Sequence, residues 1–386
     1  TPVYDILKDN GACFSQTYGW ERPAWFAPKG MPPVDENSFR RTNWHGPVGQ
    51  ECAAVRERVG VLDLSGFAKF EVSGPGAESF LNYICANRVP VRTGKIAVSA
   101  MLSHRGQVKC DVTVTKMAQE RYFIVAAAAA ERHDLDWMNR HMPTDGSVTI
   151  ENMTYRYGTL VIAGPQSREV LSQLTDADLS TAAFPFGTMQ DIFINLSPVM
   201  ALRIGFTGEL GWELYHPIEH QRDIYDALMR AGEAHHISDF GMRSMMSLRL
   251  EKGYCTLGGE LSSERTPLEA GLERFVNFDK GSFLGRQALI QQKEEGIAEQ
   301  LVLMTVEADD ADAFGDEPVF HEDKIVGRVT SGGFGHTVQK SLAMAYVKSD
   351  LSRPGTRFEI MILGERYPAE VVAMPLYDPA NEKLKA

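Results

Sequence analysis

The chain has 386 residues, of which 44 % are hydrophobic and 23 % charged, with a formal net charge of -12 and a pI of about 5.4. That length and apolar content call for two or three packed lobes, and exclude both a single small core and a disordered chain. The acidic balance is not offset by any Lys/Arg-rich run, which argues against a nucleic-acid partner, and no apolar run approaches the roughly 20 residues that span a bilayer.

Residues 18–33 mix aromatics (Tyr18, Trp20, Trp25, Phe26) with Gly and Pro. The mixture predicts a structured loop, because Gly and Pro break periodicity while aromatics need a surface to bury against. Apolar periodicity predicts a helix over 49–59, strands over 61–64 and 68–72, and a helix over 77–85 behind Gly74-Pro75-Gly76. Residues 96–102 and 108–115 read as a hairpin turning at His104-Arg105-Gly106, followed by a strand over 122–127 and a helix over 130–142. Further on come a strand at 159–162, a helix at 166–174, strands at 199–204 and 212–215, and helices at 220–234 and 241–252. From about residue 296 short apolar segments alternate with turns, the texture of a small barrel or sandwich. The charged stretch 291–300 marks the boundary, dividing the chain into residues 1–295 and 296–386.

Five scattered cysteines, odd in number and without a C-x-x-C, predict neither a disulfide framework nor a cysteine-built zinc site, and favour a reducing compartment such as cytoplasm or mitochondrial matrix. No secretory signal is readable at Thr1-Pro2-Val3-Tyr4-Asp5. Ten histidines include no H-E-x-x-H, and His216 and His220 straddle Pro217, so no metal is expected. Gly74-Pro75-Gly76 lacks the third glycine of a dinucleotide fingerprint, and Pro75 removes an N–H that could meet a pyrophosphate; the chain is not expected to hold FAD or NAD that way. Cys110 has no neighbouring base and reads as a small strand residue.

Two carboxylates stand out. Asp111 lies inside the β-rich run Lys109-Cys110-Asp111-Val112-Thr113, against strand propensity; it is either a solvated edge residue or a functional group. Glu213 follows the glycine-rich turn Gly205-Phe206-Thr207-Gly208-Glu209-Leu210-Gly211-Trp212. Pointed inward it could accept the N–H donors of a ring such as a pterin, and pointed outward it is merely solvated.

Taken together and in order, Asp63-Leu64-Ser65, residues 106–111, residues 205–213, Ser247-Leu248-Arg249-Leu250-Glu251-Lys252-Gly253 and Thr266-Pro267-Leu268-Glu269-Ala270 resemble the aminomethyltransferase (glycine-cleavage T-protein) family. Residues 18–26, 283–286 and 330–337 are similar to the folate-binding C-terminal half of dimethylglycine and sarcosine dehydrogenases and to related methylamine demethylases. The resemblance implies an α+β, three-lobed fold around a channel for tetrahydrofolate, with a small C-terminal β-barrel. It places Asp111 as the catalytic carboxylate, Glu213 as the pterin ligand, Phe206 where the family has a tyrosine, and Tyr83 and Phe186 as candidate aromatic walls. Phe206 and Met245 both depart from the T-protein pattern, which points away from glycine cleavage with a lipoylated carrier, and Lys280-Gly281-Ser282 lacks the cysteine of an iron–sulfur-assembly relative. The implied activity is capture of formaldehyde or an iminium from a demethylated amine as 5,10-methylenetetrahydrofolate, with a flavoprotein or demethylase as partner. The alternatives are a demethylase moving a methyl group to N5 and a non-catalytic folate-binding module.

Overall fold

The structure, a computed structural model, describes residues 1–386. A short helix, α1 (Tyr4–Asp9), precedes a hairpin, β1 (Ala12–Thr17) and β2 (Trp20–Phe26). The loop expected over 18–33 is therefore strand over Trp20–Phe26 and non-strand elsewhere. Tyr18 and Gly19 supply the two positive-φ positions (52° and 86°) that a two-residue hairpin turn requires, and Pro23 pairs with Phe14 beside a register shift that accommodates its missing N–H. Helix α2 (His45–Glu57) buries Val48, Cys52 and Val55 and leads into β3 (Gly60–Asp63).

The first lobe runs through β4 (Ala68–Ser73), α3 (Ala77–Ile84), β5 (Ile96–Leu102), β6 (Val108–Ala118), β7 (Arg121–Ala126), α4 (Glu131–His141) and β8 (Thr149–Asn152). Its strands form one antiparallel sheet in the order β5-β6-β7-β4-β8. Alternation sends Phe70, Cys110, Val112 and Ile124 to one face, where Phe80, Leu81 and Ile84 of α3 and Met138 of α4 cover them. The other face carries Lys69, Asp111, Thr113, Phe123 and Val125.

The second lobe adds β9 (Tyr157–Ala163), α5 (Ser167–Ser172), β10 (Met189–Ile194), β11 (Ser197–Leu202), β12 (Gly211–Pro217), α6 (Gln221–Ala231) and β13 (Ser238–Asp239). With β3 they give the sheet β10-β11-β12-β9-β3-β13, antiparallel except where β13 meets β3. Trp212 and Leu214 enter a core with Ile224 and Leu228 of α6, while Tyr215, Met200 and Leu202 turn to the opposite face and meet Phe123 and Val125 of the first sheet. The two sheets thus pack face to face through a small apolar cluster. Both lobes use the same strand–turn–helix device. Gly74 and Gly164 adopt φ of 113° and 130°, and a Cβ on either would come within 2.4 Å of a backbone carbonyl oxygen, so only glycine fits.

Helix α7 (Met242–Glu251) packs on α2, β2 and the barrel. After α8 (Arg286–Glu295), strands β14 (Glu299–Val306), β15 (Pro318–His321), β16 (Lys324–Gly335), β17 (Lys340–Lys348), β18 (Arg357–Ile362) and β19 (Glu365–Val372) close a six-stranded barrel. The barrel is tied to the lobes by a buried ionic network. Arg56 donates to Glu209 (2.9 Å) and Glu251 (2.8 Å), the Tyr377 hydroxyl donates to Glu209 (2.6 Å), and the Thr337 N–H donates to Glu251 (2.6 Å). No helix is long and apolar enough to cross a membrane.

Candidate functional site

The space between the sheets is closed at β7 and open at β5 and β6. Val125 is buried, but on the same face Val98 is 38 % exposed and Asp111 and Thr113 are half-buried. Register explains which side chains line this gap. Val98 pairs with Thr113, Ala100 with Asp111, Thr113 with Val125 and Val125 with Lys69, and cross-strand partners share a face. Lys69 and Asp111 therefore stand on one floor. Two strand spacings across and two residues along put their Cα atoms roughly 12 Å apart.

Asp111 occupies the end of the gap beneath the segment after α7. Its partner Ala100 packs in the cluster that holds Leu250, Cys255 and Met344. Burial pushes the Asp111 carboxyl up to about 7, and the charge of Asp134 adds to the rise. Asp134 is fully buried on α4, and its Oδ1 lies 2.9 Å from Nδ1 of His133. A carboxyl held near neutrality can take and return a proton at physiological pH.

Glu213 enters from the facing sheet, on β12 opposite Leu202 and Val161. The Tyr215 hydroxyl donates to its Oε2 at 2.6 Å. Burial raises the Glu213 carboxyl, while the Tyr215 hydrogen bond and the charge of Lys69 act against that rise. Lys69 itself is buried, with Nζ donating to the carbonyls of Ser65 (2.8 Å) and Phe67 (2.9 Å); burial lowers its ammonium to about 7, against the pull of Asp63, Glu131 and Glu213. Asp111 and Glu213 thus stand on the facing surfaces of the two sheets, one carboxylate on each.

The remaining sequence candidates are distributed differently. Phe206 packs beside the cluster containing Val161 and Met245, with its ring 5.5 Å from that of Tyr254. Tyr83 is 41 % exposed on α3, the helix covering the opposite face of the first sheet, so the structure does not bring it to the gap. Phe186 is 37 % exposed on a loop that hydrogen-bonds the start of β5 through Gly187. Lys280 caps α3, donating to the carbonyls of Asn82, Cys85 and Asn87. Cys110, His133 and Asp134 form one cluster of metal-ligand types, with candidate atoms within 4.8 Å of one another. Burial and Asp134 hold the thiol on the protonated side, and His133 Nδ1 lies 2.9 Å from Asp134.

Sequence reasoning passed over Lys69 and Tyr215. Lys69 alternates with Phe70 as a solvent-facing strand residue would, and Tyr215 reads as ordinary strand composition. Only the packing of the second sheet on the first turns both inward.

Residues 3–280 match the family model of the GCVT N-terminal domain, and residues 300–378 that of the glycine cleavage T-protein C-terminal barrel domain. The chain belongs to the glycine-cleavage T-protein family. A full-length likeness within this T-protein family is the aminomethyltransferase of Halothermothrix orenii, 30 % identical over 379 residues that cover 97 % of this chain and 99 % of that one. The mitochondrial dimethylglycine dehydrogenase of Mus musculus is 42 % identical over 371 residues, 95 % of this chain and 43 % of that one. The 4-methylaminobutanoate oxidase (formaldehyde-forming) of Paenarthrobacter nicotinovorans is 33 % identical over 388 residues, 100 % of this chain and 47 % of that one. The chain thus spans less than half the length of these two relatives. The crystal structure of the glycine cleavage system aminomethyltransferase T from Bartonella henselae shares the fold, with a TM-score of 0.85 over 98 % of both chains at 24 % identity. The expected α+β T-protein fold with a C-terminal barrel is the fold of this chain.

Proposed function

We propose that this T-protein family chain binds tetrahydrofolate between its two sheets and loads it with a one-carbon unit, taken as formaldehyde or an iminium from a demethylated amine, to give 5,10-methylenetetrahydrofolate. What supports this reading is that Glu213 and Asp111 stand on the facing surfaces of the two sheets, the second held near neutrality. Residues 1–295 would hold the folate and residues 296–386 would close the site as a barrel. The likeness to a formaldehyde-forming oxidase and to dimethylglycine dehydrogenase supports a methylated amine as the source of the carbon. Oxidation of that amine is assigned to a flavoprotein region or partner outside the matched residues.

Tetrahydrofolate is consumed in each turnover and is a substrate here. Its N5 and N10 supply the two nucleophiles; formaldehyde supplies the bridging carbon with loss of one water, and an iminium supplies it with loss of the demethylated amine, which carries away the proton. The chain's own part is to hold and to move a proton. Glu213 presents Oε1, which has no hydrogen-bond donor within the protein, to the amino and ring N–H donors of the pterin. That contact fixes the ring and removes much of the entropic barrier to ring closure. Asp111, at the far end of the gap, accepts the proton released by N10 and offsets positive charge developing on the folate.

The test is calorimetric titration with tetrahydrofolate, with and without formaldehyde, followed by mass analysis of the product. Saturable binding with methylenetetrahydrofolate formed faster than the spontaneous reaction supports the proposal. A 5-methyl product would shift it to methyl transfer onto N5, and absence of binding would remove it.

A further inference from the structure

We propose that Tyr215 is a positioning residue that holds the Glu213 carboxylate in one orientation, and that Tyr215 and the charge of Lys69 together keep it anionic, leaving Oε1 as the single oxygen offered to a ligand. The ligand's identity rests on the folate reading; the state of Glu213 does not.

Tyr215 is fully buried, and the only hydrogen bond of its hydroxyl runs to Glu213 Oε2. Phenylalanine would fill the same place in the inter-sheet cluster with Phe123, Met200 and Leu202, so packing alone does not call for the oxygen. Residues i and i+2 of a strand share a face, which makes the 2.6 Å contact an outcome of local geometry. A hydrogen bond to the charged form of a carboxylate favours that form and fixes the rotamer.

Lys69 is the cationic counterpart from the opposite sheet. An apolar residue would suit a buried position on β4, yet the chain keeps an amine there and satisfies it with two backbone carbonyls. The carboxylates whose charge acts on Lys69 are Asp63 at the end of β3, Glu131 at the start of α4 and Glu213 on β12. The groups that act on Glu213 are Tyr215 and Lys69, because its neighbours on β9 and β11, Val161 and Leu202, are apolar. No ion pair within 4 Å joins Lys69 to any of those carboxylates, so its charge reaches Glu213 across the gap rather than by contact. Removing that charge would leave Glu213 to hold a proton, and a protonated carboxyl accepts poorly from the donor edge of a pterin.

The experiment measures affinity for air-stable 5-formyltetrahydrofolate by calorimetry from pH 5 to 9, in the parent chain and in Tyr215→Phe, Lys69→Met and Lys69→Arg. The acid limb of the binding profile is expected to move up by roughly one pH unit in Tyr215→Phe and Lys69→Met, a tenfold loss on the limb with a smaller loss on the alkaline plateau. Lys69→Arg should restore the parent limb. Uniform weakening with an unmoved limb would show a purely structural role and overturn the proposal. In parallel, the infrared carboxyl signal that disappears in Glu213→Gln is followed with pH in the ligand-free chains. Titration of that signal at the parent pH in both variants overturns the proposal. A parent chain that ignores 5-formyltetrahydrofolate at every pH overturns the folate reading, while the infrared titration still decides the role of Tyr215 and Lys69.

Discussion

Asp134 lies against Cys110, the neighbour of Asp111 in the chain, so a buried carboxylate on one face of β6 acts on a carboxyl that faces the other way. Burial first, and that charge second, hold the folded Asp111 near 7. A raised carboxyl binds its proton more tightly folded than unfolded. Its contribution is therefore favourable at low pH and is lost as pH rises from the unfolded value through about 7. Asp111→Asn should accordingly be more stable than the parent at pH 8, by on the order of 2 kcal/mol, with the gain vanishing near pH 4. The same variant should bind folate normally and fail to accelerate methylenetetrahydrofolate formation. Thermal melts across pH and a product assay check both; parent-like turnover would remove Asp111 from the chemistry.

Asp134→Asn removes the like charge without touching the gap. The acid limb of the rate profile should then move to lower pH, by roughly half a unit to one unit. A pH–rate series comparing the two chains reads the shift, and a limb that stays in place would leave Asp134 with packing alone.

Glu213→Ala should weaken folate binding at least tenfold, the size expected for a lost hydrogen bond to a charged group, about 1.5–3 kcal/mol. Stability should also fall, by about 1–3 kcal/mol, because the substitution leaves the buried Tyr215 hydroxyl without its only partner. Calorimetry at neutral pH is sufficient, and unchanged affinity would take Glu213 out of the site.

Arg56→Ala leaves two buried carboxylates, Glu209 and Glu251, without their cation. Half-removal of a buried ionic group costs about 3–5 kcal/mol. Urea unfolding should show a loss of that order, together with loosening of the barrel from the lobes, read as faster amide exchange around Thr337 and Tyr377.

Local chemistry made most strands and helices readable. The 96–102 and 108–115 hairpin follows from alternation bounded by a glycine turn, and the C-terminal strands follow from close turn spacing. The segments that escaped have physical reasons. β8 (Thr149–Asn152) is half exposed along its length, so it carries no apolar alternation, and β10 (Met189–Ile194) interleaves Gln190 and Asp191 with its core residues. The hairpin at Ala12–Phe26 was obscured by its proline, which sits where the register shifts. For the site, Asp111 and Glu213 were conspicuous as charges in strands. Tyr83, which the family resemblance offers as an aromatic wall, is exposed on the helix that covers the opposite face of its sheet, information that a list of residue types does not contain. Lys69 could not be recognised without knowing that a second sheet covers it.

The apolar cluster that joins the two sheets has a consequence for evolution as well as for chemistry. Asp111 hangs from one sheet and Glu213 from the other, so the span between them depends on spacers such as Phe123 and Leu202 in the cluster that joins the sheets. The cluster works like the pivot of a pair of callipers. Trading one methylene there would reset the opening at both jaws, and related chains could be retuned for a longer or shorter acceptor while every residue at the jaws stayed the same.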